Sequence, residues 1–572
     1  MFKKVLIANR GEIAIRIARA CADLDIASVA IHSQDDAGAL HTLRADAAIA
    51  LKGEGAGAYL DIAGVIAAAK ASGAEAIHPG YGFLSENADF ARACGAAGVV
   101  FIGPDAETIA LLGDKARARA LAQAEGLAVL RGSEGGVSAG DAKAFLRDLK
   151  RGRAMMIKAV AGGGGRGMAI ARKAEEVEAA FGRCAAEAGA AFGNDALYVE
   201  EFLPRARHIE VQIAGDGQSV IHLHERDCSV QRRHQKLIEI APSPFIGEET
   251  RARVLAAAVK LGQAAQYRAL GTIEFLVDAD APENFYFMEA NPRLQVEHTI
   301  TEEALGLDLV RLQMELAAGR SLVSLSLLQR DAPQPRGYSI QARVNLERVN
   351  EDGAPLPSGG AISLYEPPTG PGVRVDGAGH AGLHPNPRFD TLMAKVICTA
   401  PHFAAAAAKC ARALKEFRVE GADTNIPVLR ALLASEDFLS GAMTTRFYDE
   451  NFSSLLDSVR GFGGAQAKVR QSPAAAEGLL AITAPLRGTI CAIHAEVGQT
   501  VRKGDEVALI EAMKMQHAIV AQESGVVLSV EAALGETLDE DAPFLFIEAQ
   551  AGEAVVEAAA AERDLDEWRA DL

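Results

Sequence analysis

The last part of the chain is written twice: Gly488 falls on Gly525, Val497-Gly498-Gln499-Thr500 on Leu534-Gly535-Glu536-Thr537, and Leu509-Ile510-Glu511-Ala512 on Phe546-Ile547-Glu548-Ala549, a repeat of 37 residues. Each copy alternates apolar and polar residues between Gly and Asp turn signals, the pattern of short strands buried on one face. The two copies predict a single small all-β domain, a sandwich or flattened barrel, over residues 480–549. Met513-Lys514-Met515 lies at their join. That position predicts an exposed hairpin tip, with Lys514 between two flexible thioether side chains.

Ala512-Met513-Lys514-Met515 resembles the acceptor tetrapeptide of the biotinyl carrier domains of biotin-dependent carboxylases and matches it in full. The resemblance implies biotin on Lys514, attached by a biotin protein ligase. A lipoyl carrier shares the fold, but its lysine usually lacks the methionine pair. An ordinary surface lysine explains the tetrapeptide alone and leaves its place at the repeat's symmetry point unexplained.

Upstream there is room for much more, since 572 residues predict about four domains. A formal net charge of −18 repels polyphosphate backbones and argues against nucleic acid or an anionic membrane as the main partner. The seven cysteines include no C-x-x-C pair, so reduced thiols in a cytoplasmic setting are expected, with no structural zinc. Phe2 to Ala8 begins like a secretion signal, but Asn9-Arg10-Gly11-Glu12 ends the apolar run early. No apolar stretch approaches the roughly 20 residues that span a bilayer.

Residues 1–114 alternate strand-like runs (Lys4 to Ala8, Ser28 to His32, Ala76 to His78, Val99 to Ile102) with helical patterns at Ile13 to Ala22 and Ile62 to Ser72. This is the signature of a doubly wound parallel sheet. Gly11 stands alone at the first strand-to-helix turn and is no dinucleotide fingerprint. The loop from His78 to Asn87, with Tyr81 in it, is rich both in turn formers and in side chains able to bind ligands.

In residues 115–203 a strand-like run, Met155 to Ala159, precedes Gly162-Gly163-Gly164-Gly165-Arg166-Gly167. Glycines let backbone N–H groups approach polyphosphate closely. No Gly-Lys-Ser/Thr follows, so this is not a P-loop. A linker would seldom run directly into another apolar strand, as this loop does at Met168 to Ala171. These residues resemble the ATP-grasp ligases, and more closely their biotin carboxylase branch, over residues 1 to about 447. The resemblance implies that Lys115, Lys158, Gly163, Gly164, Gly165 and Gly167 meet the nucleotide phosphates, with Glu200 and Leu203 beside the adenine. It also puts Tyr81, His208, Gln231, His234, Gln295 and Val296 among the ligand-binding residues.

Residues 204–447 hold the densest chemistry. His208 to Gln212 alternates as a strand, and Glu225 to Lys236 packs so much charge between strands that it reads as the lining of a site. Gly271 to Leu276 and Phe285 to Asn291 read as neighbouring strands that bring Glu274, Glu289 and Asn291 to one level. Two carboxylates and an amide oxygen suit Mg²⁺ or Mn²⁺. Pro292-Arg293-Leu294-Gln295-Val296-Glu297 follows. By the family resemblance Arg293 holds bicarbonate, Glu297 removes its proton and Lys236 offsets charge, while Arg343 enters from another strand to meet the biotin ring. In an extended segment, Arg293, Gln295 and Glu297 would share one face. After Arg343 the chain reads Val344-Asn345-Leu346-Glu347-Arg348, where the family more often has a small residue and an acidic pair.

Ser453-Ser454, Gly461 to Gly464 and Ser472-Pro473 mark residues 448–479 as a linker by composition, and 550–572 reads as an acidic helical tail. A flexible linker of this kind would span roughly 25 to 30 Å between its ends. The fold class is therefore α/β (α+β) ATP-grasp with an N-terminal doubly wound parallel sheet, followed by a small all-β biotinyl/lipoyl-like flattened barrel. The implied activity is ATP- and bicarbonate-dependent carboxylation of biotin. An acyl-CoA carboxylase using a separate carboxyltransferase subunit is the first expectation, in a homo- or hetero-oligomer, and the biotin-carboxylating part of a pyruvate carboxylase is the alternative. A non-catalytic carrier scaffold would be expected to have lost acidic metal ligands, and Glu274, Glu289 and Glu297 are all present. A carbamoyl-phosphate-type ligase would leave Lys514 unexplained.

Overall fold

The computed structural model describes residues 1–133, 135–149, 154–160, 167–463, 479–512 and 515–549. The chain forms two compact units, Met1–Lys468 and Val469–Leu572. Among the described residues no helix is long and apolar enough to cross a membrane.

The first unit opens with a five-stranded parallel sheet, ordered Ala47–Ala50, Ala27–His32, Lys4–Ile7, Ala76–His78, Val100–Phe101. Helices Gly11–Asp23, Ile62–Ser72 and Ala88–Ala96 alternate with the strands, as the doubly wound reading requires. The edge strand Ala47–Ala50 is hidden in the sequence, because its mostly exposed Ala-Ala-Ile-Ala carries no clear alternation. Next comes a three-stranded antiparallel sheet of Met168–Ala171, Ala154–Ala159 and Leu197–Phe202. Helices Ala139–Asp148 and Val177–Phe192 contribute Ala142, Leu146, Val177 and Cys184 to a core with Met155, Ile157 and Val199.

An eight-stranded sheet dominates the unit. Its order is Phe285–Asn291, Arg268–Asp278, Ala206–Asp216, Val220–Arg232, Gln235–Ala241, Tyr338–Asn345, Leu392–Ala400, Val373–Gly377. Helix Glu248–Ala264 packs Val254, Ala258 and Leu261 into a core with Ile209, Val211 and Ile213. Those three residues alternate with His208, Glu210 and Gln212 along one strand, so the opposite face carries the polar groups described below.

The expected linker at 448–479 begins too early. Residues Phe447–Gly463 form a helix whose Phe447, Tyr448, Phe452, Leu455 and Val459 are buried in the core that also holds Leu429 and Leu432 of helix Ile426–Ala434. The apolar stripe is diluted by Asp449, Glu450, Asn451 and the serines between, which is why composition alone suggests a linker. Residues 464–478 and the expected tail at 550–572 lie outside the described residues.

The second unit realises the repeat strand by strand. Gly488–Ile493 corresponds to Gly525–Val530, Thr500–Val501 to Thr537–Leu538, and Glu506–Ala512 to Pro543–Ala549. Two four-stranded sheets result, ordered Leu479–Thr483, Pro543–Ala549, Gly525–Val530, Thr500–Val501 and Met515–Val520, Glu506–Ala512, Gly488–Ile493, Thr537–Leu538. Each sheet takes both edge strands from the other copy, so neither copy completes a sheet alone. Ile490, Val507, Ile510, Val527, Leu545 and Ile547 are buried. The symmetry reaches the glycines: a Cβ on Gly488 would come within 2.7 Å of the Glu511 carbonyl oxygen, and one on Gly525 within 2.5 Å of the Glu548 carbonyl oxygen. Ala512 pairs with Met515 across the hairpin, while Met513 and Lys514 lie outside the described residues.

Candidate active site

Four neighbouring strands of the large sheet place Arg226, Glu210, Glu274 and Glu289 abreast in one row. The next row but one holds Gln212, Thr272 and Asn291. Period-two alternation points these polar residues to the same face. Glu210 is fully buried and accepts hydrogen bonds from Arg226 Nε and, at 2.7 Å, from Lys236 Nζ. Arg226 also donates to Gln212 Oε1 at 2.8 Å, Thr301 Oγ1 at 3.0 Å and Thr272 Oγ1 at 3.1 Å.

Lys236 is the pivot. Its ammonium lies 2.6 Å from Glu297 Oε1, 2.7 Å from Glu210 Oε2 and 3.4 Å from Glu274 Oε1, a carboxylate for each of its three protons. Burial works against the charge on Lys236, yet Glu210, Glu274 and Glu297 outweigh it and raise its pKa well above the ordinary value. Burial likewise works against the charge on Glu297, but Lys236, Arg343 and Arg226 hold its pKa far below the usual carboxylate range. A bulge between the pairs Val230–Ile238 and Gln231–Lys236 shifts the alternation, so Lys236 and Glu239 serve one site although they are three residues apart.

Glu297 also accepts from Arg343 Nη2 at 3.0 Å, and Arg343 Nε donates to the buried Glu239. Arg343 does enter from another strand, but its guanidinium lies against the Glu297 carboxylate and not apart from it. The extended conformation expected for Pro292 to Glu297 is absent as well. The strand ends at Asn291, Arg293 sits in a bend, and Val296 and Glu297 turn into helix His298–Leu305. Pro292 brings no N–H to continue the ladder, and Glu297 takes the N-cap position of that helix. Arg293 and Gln295 still meet, Nη1 to Oε1 at 2.7 Å, while Arg293 Nε lies 2.8 Å from Glu86 Oε2.

The three expected metal ligands are neighbours. Asn291 Nδ2 lies 2.8 Å from Glu274 Oε1 and 3.5 Å from Glu289 Oε1. Two carboxylates gathered around one small amide form a donor set that fits a hard cation, the amide oxygen being available if that group turns. His208 orients Glu274 from behind. Gln231 Nε2 donates to His208 Nδ1 at 2.7 Å, which leaves the proton on Nε2, 2.7 Å from Glu274 Oε2.

Among the residues expected to meet the nucleotide, Lys158 donates to Glu200 from the adjacent strand, and Arg119 Nη1 lies 3.6 Å from the other oxygen of Glu200. Lys115, at the start of helix Lys115–Ala124, places Nζ 3.9 Å from Glu289 Oε2. Lys115, Glu289, Asn291, Arg293 and Glu86 line one open cavity of about 330 Å³. Leu203 is buried. Gly167 has φ +62°, and a Cβ there would meet Ala159 Cβ at 2.9 Å; Gly163, Gly164 and Gly165 lie outside the described residues. His234 follows Arg233 in the hairpin between two site strands, both at positive φ. Tyr81 donates its hydroxyl to Glu12.

Five site groups have no role assigned by the sequence alone: Glu210, Arg226, Glu239, Glu12 and Lys395. Glu210 and Arg226 fall in stretches whose alternation and charge density mark them as site lining. The other three depend on contacts between elements remote in the chain.

Four family descriptions match the chain: "Biotin carboxylase, N-terminal domain" over residues 1–109, "Carbamoyl-phosphate synthase L chain, ATP binding domain" over 114–325, "Biotin carboxylase C-terminal domain" over 341–450 and "Biotin-requiring enzyme" over 481–547. The chain is 47% identical over 458 residues to pyruvate carboxylase 1 of Caenorhabditis elegans, a match over 79% of this chain and 38% of that protein. The chain thus spans well under half the length of that relative. The biotin carboxylase domain of Hydrogenobacter thermophilus 2-oxoglutarate carboxylase, solved with MgADP, ADP and bicarbonate, superposes with a TM-score of 0.75 at 41% identity, over 80% of this chain and 99% of that one. A single-chain, multi-domain long-chain acyl-CoA carboxylase superposes with a TM-score of 0.70 at 38% identity, over 97% of this chain and 51% of that one.

Proposed function

We propose, for a chain that belongs to the biotin-dependent carboxylases and joins a biotin carboxylase to a biotin carrier domain, that the carboxyl group it loads onto biotin passes to a 2-oxo acid of the pyruvate type. The reaction begins with ATP and bicarbonate. Lys115 and Lys158 meet the ATP phosphates, with Glu200 fixing the Lys158 ammonium. Glu274, Glu289 and Asn291 would hold Mg²⁺, which when bound neutralises phosphate charge. Arg293 and Gln295 orient bicarbonate, and Glu297 takes its proton so that a bicarbonate oxygen attacks the terminal phosphorus and displaces ADP, giving carboxyphosphate.

The ion pairs explain how such an acidic group serves as base. Lys236 and Arg343 stabilise the Glu297 carboxylate and weaken its hold on a proton. An anion entering between them draws the same cations and returns basicity to Glu297 at the moment it is needed. Carboxyphosphate then breaks to CO₂ and phosphate, the phosphate takes the proton of the biotin ring nitrogen, and Arg343 stabilises the negative charge left on the ring until that nitrogen bonds to CO₂.

The observation that carries the acceptor reading is the 45–48% identity to pyruvate carboxylases across the carboxylase part. A second reading, an acyl-CoA acceptor, is supported by the match to the long-chain acyl-CoA carboxylase, which extends over 97% of this chain. In either case a carboxyltransferase, separate or on the same polypeptide, completes the reaction. The test loads the biotinylated chain with labelled bicarbonate and MgATP, then offers it to pyruvate-specific and acyl-CoA-specific carboxyltransferases with their substrates. Label in oxaloacetate supports the proposal. Label confined to the acyl-CoA product replaces it with the second reading.

A further inference from the structure

The first strand-to-helix turn has no part in the reaction described above, yet it ends in a buried charge. Glu12, in helix Gly11–Asp23, points Oε2 at Lys395 Nζ, 3.0 Å away. Lys395 lies in strand Leu392–Ala400 and is 0% exposed. A lysine so enclosed needs full compensation. Its ammonium also donates to the Val296 carbonyl at 3.0 Å, while Tyr81 donates to the other oxygen of Glu12.

We propose that Lys395 is a positioning residue for the bicarbonate end of the site: anchored by Glu12, it fixes the Val296 carbonyl and so the turn that presents Glu297. Lys395 stands directly abreast of Arg343 on the neighbouring strand. The two cations grip consecutive residues of one turn, Arg343 the Glu297 carboxylate at 3.0 Å and Lys395 the Val296 backbone at 3.0 Å. On its other side Lys395 stands beside Asp376, itself paired with Arg374 at 2.7 Å. Lys395 is fully buried and its ammonium meets Glu12 and the Val296 carbonyl, so its influence runs through the turn. The isolated Gly11-Glu12 turn thereby gains a function unrelated to nucleotide binding.

This inference rests on the bicarbonate reading, and bicarbonate-dependent ATP cleavage by the unaltered full chain is measured first. Its absence would overturn that reading. In Lys395→Met, KM for bicarbonate rises about tenfold, the size of one lost charged hydrogen bond, while KM for ATP stays within about twofold. Lys395→Met/Glu12→Gln shows the same selectivity without an unpaired buried carboxylate. Tyr81→Phe, a milder perturbation that removes only the hydroxyl on Glu12, gives the same direction at about threefold. Equal changes in KM for ATP and for bicarbonate, or no change in either, would overturn the positioning role while leaving the reaction itself intact.

Discussion

Replacing Arg343 by alanine separates its electrostatic role from its chemical one. The side chain is 17% exposed and bridges Glu239, 0% exposed, and Glu297, 1% exposed. Charges about 4 Å apart interact by roughly 4 kcal/mol at an effective dielectric of about 20. Glu239 would retain Gln341 Nε2, at 3.0 Å, as the hydrogen-bond donor to its carboxylate. Allowing for partial exposure of the arginine, the loss of stability is about 3 kcal/mol at neutral pH. Burial already raises the Glu239 pKa from 4.5, with Arg343 opposing the rise. The folded state therefore holds this proton more tightly than the unfolded state. The resulting penalty is absent below the unfolded value, grows as pH rises above it and is complete above the folded one. Removing Arg343 enlarges the penalty, so the variant regains stability on acidification. Urea unfolding of Arg343→Ala, Glu239→Gln and the double variant at several pH values measures this, with the double variant expected to recover most of the loss. A loss of the same size, independent of pH, in the Glu239→Gln background would refute the electrostatic argument. In parallel, phosphate release and labelled biotin product are followed in Arg343→Ala. Product should fall at least about tenfold further than phosphate release, the effect of about 1.4 kcal/mol in the biotin step alone. Equal losses would assign the arginine to the phosphate step through its contact with Glu297.

Three further outcomes are expected. Intact mass of the full chain shows one biotin, absent in Lys514→Ala, while carboxylation of free biotin by that variant persists; biotin retained on the variant would sink the assignment. Glu289→Gln weakens Mg²⁺-dependent ATP cleavage strongly with unchanged unfolding behaviour, and an unchanged Mg²⁺ titration would remove Glu289 from the metal site. Phe452→Ala destabilises the first unit by about 3–5 kcal/mol, as expected for a core aromatic, whereas a residue in a linker would cost almost nothing in the same urea titration.

The strongest expectations from sequence are those in which neighbours along the chain are also neighbours in space. The 37-residue repeat predicts the paired strands of the second unit because each copy carries its own alternation and turns. Glu274, Glu289 and Asn291 are legible together because a short antiparallel connection fixes their register. Several groups of the first unit are decided only when distant strands meet. Lys236 finds Glu210, Glu274 and Glu297, and Lys395 finds Glu12, across separations that no local period encodes. The bulge beside Lys236 changes which residues share a face, and the turn and N-cap at Glu297 replace the expected extended segment. The helix Phe447–Gly463 is held by apolar contacts that its polar spacers conceal in one dimension. Sequence by itself thus determined the repeated domain, the ladder of site strands and the residue types available for chemistry. Tertiary structure decided which charges compensate one another, because the energy of a buried ion pair depends on distance and desolvation and not on position along the chain.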